Sequence, residues 1–312
     1  MFKRSFFRLM AVLLLLASVI PSGPAGEAAP VSCIEPALRD RTLGILRKAL
    51  ATPSDWVKIH AAEFLLTLDY PQGVCEAFAG ALKTRGDEPY YRIGLWRVMA
   101  QAARDSKEAE PWLAKICSAL AASDRINATE TLAKLGYAPA GAELKSVADA
   151  AASANAALAA YAQWLLANTG SVEEQRKLVQ LLTSTNDTTR GIAGYAFRFK
   201  KELPGETVRL LVVTARKEPT GSSARIYLLS AAFCHATEPG DQQWLRTALY
   251  ACAAEPVKDV RYEAACALAR RGKAGDRALL VSLLDDPEED VRVAAANAVL
   301  HIGRRQAQEV HD

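Results

Sequence analysis

The chain has 312 residues, half of them apolar, 23% charged and 7% aromatic, with a mean hydropathy near zero. That composition gives ample material for a core and excludes collagen-like, disordered and multi-span membrane classes. The formal net charge is +3, and setting aside the first 28 residues leaves 35 basic and 34 acidic side chains, a balance that argues against nucleic acid or another polyanion as main partner.

The first thirty residues read as a targeting segment. Lys3, Arg4 and Arg8 precede an apolar run from Leu9 to Ile20 that ends at Pro21, the pattern of a secretory signal peptide over residues 1–28. The run is shorter than the roughly 20 residues a spanning helix needs, so the membrane enters only through this segment. Small residues at Gly23 and Ala25, or Gly26 and Ala28, place cleavage between residues 25 and 30 and a short tail over 29–34. The expected location is periplasmic or secreted. Six cysteines, at 33, 75, 117, 234, 252 and 266, permit disulfides there without requiring them. Cys75, Cys117, Cys252 and Cys266 have apolar neighbours and read as buried thiols, and no cysteine or histidine cluster has zinc spacing.

Internal repetition dominates the remainder. DVRYEAACALARRG at 259–272 is echoed by DVRVAAANAVLHIG at 290–303. A basic residue just after the first apolar position marks each unit and recurs at Lys58, Arg92, Arg125, Arg190, Arg225, Arg261 and Arg292. A fourth unit near Ala156 lacks it, and with that unit the steps run from 31 to 36 residues. Each unit reads as a first helix, a polar break and a second helix. The first helices fall near 36–50, 72–83, 109–121, 142–151, 172–183, 205–217, 241–254 and 276–284, and the breaks carry helix-start residues such as Thr185, Asn186 and Asp187. No stretch reads as strand. Alanine supplies about a fifth of the chain, and small residues at Ala61, Ala128, Ala193, Ala264 and Ala295 let second helices approach closely.

These units resemble the HEAT repeat superfamily, most closely its short-period, phycobilisome-lyase-type branch. The resemblance implies an all-α, armadillo-type, right-handed α-solenoid of about eight helical pairs over 35–305, with a tail at 306–312. It also implies that second helices line a concave surface used for binding and scaffolding. Register then assigns that surface. The first three units present Ile59, His60, Glu63 and Thr67, then Ile93, Gly94, Arg97 and Gln101, then Ile126, Asn127, Glu130 and Lys134. Glu63, Arg97 and Glu130 alternate in sign, either as an ion-pair ladder between repeats or as a polar groove with His60, Gln101 and Asn127. Leu158, Tyr161, Ile192, Tyr195, Phe199, Ile226 and Tyr227 form an apolar and aromatic strip, the kind of surface that takes a protein partner unless curvature buries it. Units seven and eight return to Tyr262, Glu263, Arg270, Asn297 and His301.

Catalytic signatures are sparse. There is no phosphate loop, HExxH, GxSxG or dinucleotide fingerprint, and no histidine is followed by the glutamate of the iron-binding dyads found in HEAT-like deoxyhypusine hydroxylases. No cofactor or metal is expected. Trp96 reads as packing between repeats, and the sequons at Asn127 and Asn186 as incidental. The sequence therefore points to an exported scaffold that binds a protein through its concave face. The alternatives are a binder of glycan, peptide or small ligand in the N-terminal polar groove, or an enzyme built on His60, Glu63, Arg97 and Glu130.

Overall fold

The computed structural model of the chain describes residues 34–52 and 55–311, and the signal-peptide reading, its cleavage site and Cys33 lie outside them. Among the described residues there are sixteen α-helices and no strand. In order they are α1 (Pro36–Ala51), α2 (Asp55–Thr67), α3 (Val74–Arg85), α4 (Tyr91–Ala102), α5 (Ser106–Ser118), α6 (Arg125–Lys134), α7 (Gly141–Ala151), α8 (Ala156–Ala167), α9 (Val172–Gln180), α10 (Asp187–Arg198), α11 (Gly205–Lys217), α12 (Arg225–His235), α13 (Pro239–Cys252), α14 (Lys258–Arg271), α15 (Arg277–Leu283) and α16 (Glu289–His311). Odd and even helices are the first and second members of eight pairs, so the fold is an all-α helical-repeat solenoid. None of these helices is long and apolar enough to cross a membrane.

The described residues form two compact units, with the boundary inside α9. The first, residues 71–176, stacks the second helices α4, α6 and α8 side by side, with α3, α5 and α7 behind them. The second is built from both parts of the sequence, residues 34–70 and 177–311. Its second helices run α10, α12, α14, α16 and then α2, so the N-terminal pair packs directly on α16. Ion pairs from Arg41 to Asp285 (2.6 Å) and from Arg304 to Asp69 (2.5 Å) fasten that contact.

Helix boundaries follow local chemistry. The side chains of Asp105, Asn155 and Asn186 cap α5, α8 and α10 by accepting from backbone N–H groups of the first turn. Gly136, at φ +69°, ends α6 in a Schellman arrangement in which Tyr137 N–H reaches Leu132 O. One expectation is revised at the C-terminus. Helix α16 continues through Gly303 to His311, across the stretch read as a tail. Arg305 donates to Ala269 O and Gly272 O, and Arg277 to Gln306, so the added turns are fixed to the preceding pair.

Small side chains set the spacing of the second helices. Ala61, Ala128, Ala193, Ala264 and Ala295 are fully buried. At Gly194 a Cβ would meet backbone atoms of Tyr227 and Leu228 at 2.9 Å, so α10 and α12 are in backbone contact there. Cysteine plays a smaller part than expected. Cys252 and Cys266 are buried, Cys117 is half-buried and Cys75 is exposed, and no two described cysteines are bonded.

The basic marker has a structural role that spacing alone did not show. Arg92 donates two hydrogen bonds to Asp124 (2.7 and 3.1 Å), Arg190 two to Glu218 (2.9 and 2.6 Å) and Arg261 two to Asp286 (2.7 and 2.9 Å). Each guanidinium sits in the first turn of a second helix, and each carboxylate belongs to the break of the next repeat. Arg190, Arg225, Arg261 and Arg292 also donate to carbonyls of the break that precedes their own helix. The bidentate fork suits arginine more than lysine. Burial pushes the Asp124 and Asp286 carboxyls up, but hydrogen bonds from Arg92 and Arg261 outweigh it and hold both below the usual carboxylate range. Glu218 is held down foremost by its hydrogen bonds from Arg190.

Two outcomes follow from this packing. Gly194→Val should cost at least about 2 kcal/mol, read as a lower denaturant midpoint, because the backbones cannot separate without opening the core. The three carboxylates, with folded pKa values below their unfolded ones, contribute fully above about pH 5, and that contribution is lost as pH falls through about 4. Thermal melts between pH 7 and 3 should show a steep fall only below that point, and a shallower one in Asp286→Asn.

Candidate partner-binding face

Register assigned two sides to each second helix, and the structure narrows the open one. Ile59, Ile93 and Val293 are fully buried and Ile226 is nearly so. The interior second helices α6, α12, α14 and α16 are flanked by two others and backed by their own first helices, so only a thin arc remains for solvent there. The expectation that Ile59, Ile93 and Gly94 face solvent is therefore corrected. Arg97, read as the centre of a polar groove, is only 2% exposed and donates to Thr131 Oγ1 at 3.1 Å.

The candidate residues divide between the units. In the first, Gln101 is exposed, Asn127, Glu130 and Tyr161 are half-buried, and Glu130 pairs with Lys134 one turn away at 3.5 Å. Trp96 lies under the cations of Arg92 and Lys115, a packing position within the stack. In the second unit, His60 and Glu63 are half-buried. His60 Nδ1 lies 3.2 Å from Asp290 Oδ1, and its ring stacks at 5.1 Å on Tyr262, so it joins α2 to α14 and α16.

Tyr195, Phe199 and Tyr227 come together as expected from register. Tyr195 packs edge-on against both Phe199 (5.1 Å) and Tyr227 (5.8 Å), and all three rings keep part of their surface open. Two arginines complete the cluster. Arg198 lies 4.8 Å from the Tyr195 ring and 5.1 Å from the Phe199 ring, and Arg270 lies 4.7 Å over Phe199. Arg198 forms a buried ion pair with Glu263, two repeats away. Helix α12 lies between α10 and α14, so this bridge requires the face to be concave there.

Burial dominates the electrostatics of the cluster. Burial opposes the Arg198 charge, but Glu263 holds the guanidinium protonated, above its ordinary value. Burial, then Glu263, pushes the Cys266 thiol up to about 12, and burial with the neighbouring Cys266 and Glu263 raises the Tyr262 phenol well above its usual value. Burial and then Arg305, Arg304 and Arg270 lower His301 to about 4. At neutral pH the thiol and phenol are therefore protonated and the imidazole is neutral, a poor set for nucleophilic catalysis. Among the described residues no group of three or more His, Cys, Asp or Glu side chains is placed to hold a metal ion. Arg270 keeps part of its surface open and stacks on Phe199 with no ion pair, while burial of its guanidinium and then the Arg198 charge lower its pKa. Arg198 Nε, Ser230 Oγ and Asn297 Oδ1 are buried without a hydrogen-bond partner.

Arg198 and Ser230 were absent from the sequence-derived strip. Arg198 falls between the helical columns used to define the face, and Ser230 carries no distinguishing pattern. Arg270 and Asn297 were placed on the face by register, but without any sign of how they pair.

No family model matches the chain, and no curated protein does. Among solved structures it is similar to human deoxyhypusine hydroxylase in complex with glycerol, at 18% identity over 85% of this chain and 97% of the other, with a TM-score of 0.42. An engineered protein is 18% identical over 88% of this chain and 86% of the other (TM-score 0.34). A designed armadillo repeat protein in complex with a (KR)4 peptide is 16% identical over 66% of this chain and 99% of the other (TM-score 0.32).

The buried pair is the point at which this face can be tested energetically. Glu263→Gln strands the Arg198 charge and should destabilise the chain by roughly 3–5 kcal/mol, whereas the double variant Arg198→Met/Glu263→Met should recover most of that loss. Denaturant midpoints of Arg198→Met, Glu263→Met and the double variant give the coupling.

Proposed function

We propose that this chain is an exported scaffold that takes an acidic segment of a protein partner on the second-helix face of its second unit. The observation that carries this reading is the aromatic and guanidinium cluster of Tyr195, Phe199, Tyr227 and Arg270. Half-open aromatic rings supply contact area at low entropic cost, and a partly open guanidinium stacked on one of them is oriented for a carboxylate. Arg270 has Arg198 beside it, and Glu263 is already committed to Arg198. The local charge therefore favours an anionic group over a second cation. Export rests on the basic and apolar pattern of the first thirty residues.

A photo-crosslinking residue at position 227, in the chain expressed in its native envelope, tests this reading. One defined protein adduct is expected, weakened at least tenfold by Arg270→Glu and by Tyr195→Ala. An adduct indifferent to both substitutions, or none at all, overturns the proposal and returns glycans and small ligands to consideration.

A further inference from the structure

We infer that an open cavity of about 550 Å3 between the third and fourth repeats of the first unit binds a small organic carboxylate with a short apolar body. The inference is independent of the partner-binding face. It starts from the arginine markers. Arg92, Arg190 and Arg261 each grip a carboxylate in the following break, and Arg225 and Arg292 each donate to backbone carbonyls of the break before their own helix. Arg125 is the marker of the third repeat, exposed at the start of α6, and makes no such bond. The break it faces, Ala152 to Asn155, has no acidic residue, and none occurs between Asp149 and Glu173.

The cavity lies where the missing pair would sit. Arg125 lines it from α6 and Ser153 from the break. Lys145 adds a second cation from α7, and Asp149 one turn further along is the single acidic group in the lining. No ion pair joins Lys145 to Asp149, so the wall carries one net positive charge. Leu120 supplies a half-buried apolar edge beneath the cations, with Val147 and Leu158 buried behind it. A carboxylate at Arg125 would restore the bidentate geometry that the chain builds for itself at Asp124, Glu218 and Asp286. Its short apolar body would lie against the half-buried Leu120.

Calorimetric titration of the purified chain with butyrate, its neutral analogue butyramide and inorganic phosphate tests the site. Butyrate should bind, with butyramide and phosphate at least tenfold weaker. Arg125→Gln should weaken butyrate at least tenfold with an unchanged melting temperature, and Asp149→Asn should tighten it two- to threefold. Ser153→Asp supplies the missing carboxylate from within, so it should abolish butyrate binding and raise the melting temperature by a few degrees. Arg270→Glu, on the other unit, should change nothing. Absence of butyrate binding, equal binding of butyramide, or an unchanged affinity in Arg125→Gln overturns the inference, and phosphate binding more tightly than butyrate overturns its assignment to a carboxylate.

Discussion

At Gly194 a single added methyl group would press on the backbone of the neighbouring helix at 2.9 Å. That contact and the buried alanine columns bring the second helices of each unit close enough to share one core, which no isolated pair could form. Close approach has a second effect. Helices this near leave little room for a break to wander, and the turns between first and second helices contain backbone carbonyls with no helical partner. All the arginine markers but Arg125 meet these needs, since Arg92, Arg190, Arg225, Arg261 and Arg292 donate from the first turn of a second helix into the adjoining breaks. A single residue type repeated along the chain therefore links the repeats and satisfies their loops.

The same crowding fixes what remains for a partner. A second helix packed on three sides has a narrow open arc, and the side chains on it must reach over one another to find solvent. Tyr195, Phe199 and Tyr227 are half-open because they pack on one another, and Arg198 reaches across α12 to meet Glu263. A strip of rings held by mutual contact presents a firm surface, and less ordering is required when something docks on it.

Helical pairs, their boundaries and the alanine core were legible because each depends on local signals: a 3.6-residue period, capping residues and small side chains at fixed spacing. The first helices at 142–151, 172–183 and 205–217 agree with the observed ones to within a residue or a terminal turn of 3-10 helix. What escaped depended on pairs far apart in sequence. Nothing local ties Arg198 to Glu263, or shows that Arg97 is enclosed while Gln101, four residues later, is open. Helical phase gives the direction of a side chain, but the distance to the next helix decides whether that direction ends in solvent. The turns beyond residue 305, read as a tail, are helical for a related reason: bonds made by Arg305 and Gln306 to distant residues carry the helix onward.

The Arg198–Glu263 pair is best understood as fixing position and not as a source of stability. Two charges removed from water give back little net energy even when well paired, and apolar replacements of similar size often fold as firmly. An apolar pair at these positions, however, would have no reason to keep Arg198 stacked on Tyr195 and Phe199, or to draw α10 toward α14 across α12. The charged pair bridges α10 to α14 and leaves Arg198 Nε buried and unsatisfied. Unmet polar groups cost free energy in a folded chain that has no use for them. The pair therefore holds Arg198 against the aromatic rings at some cost in stability, and the unpaired Arg198 Nε is part of that cost.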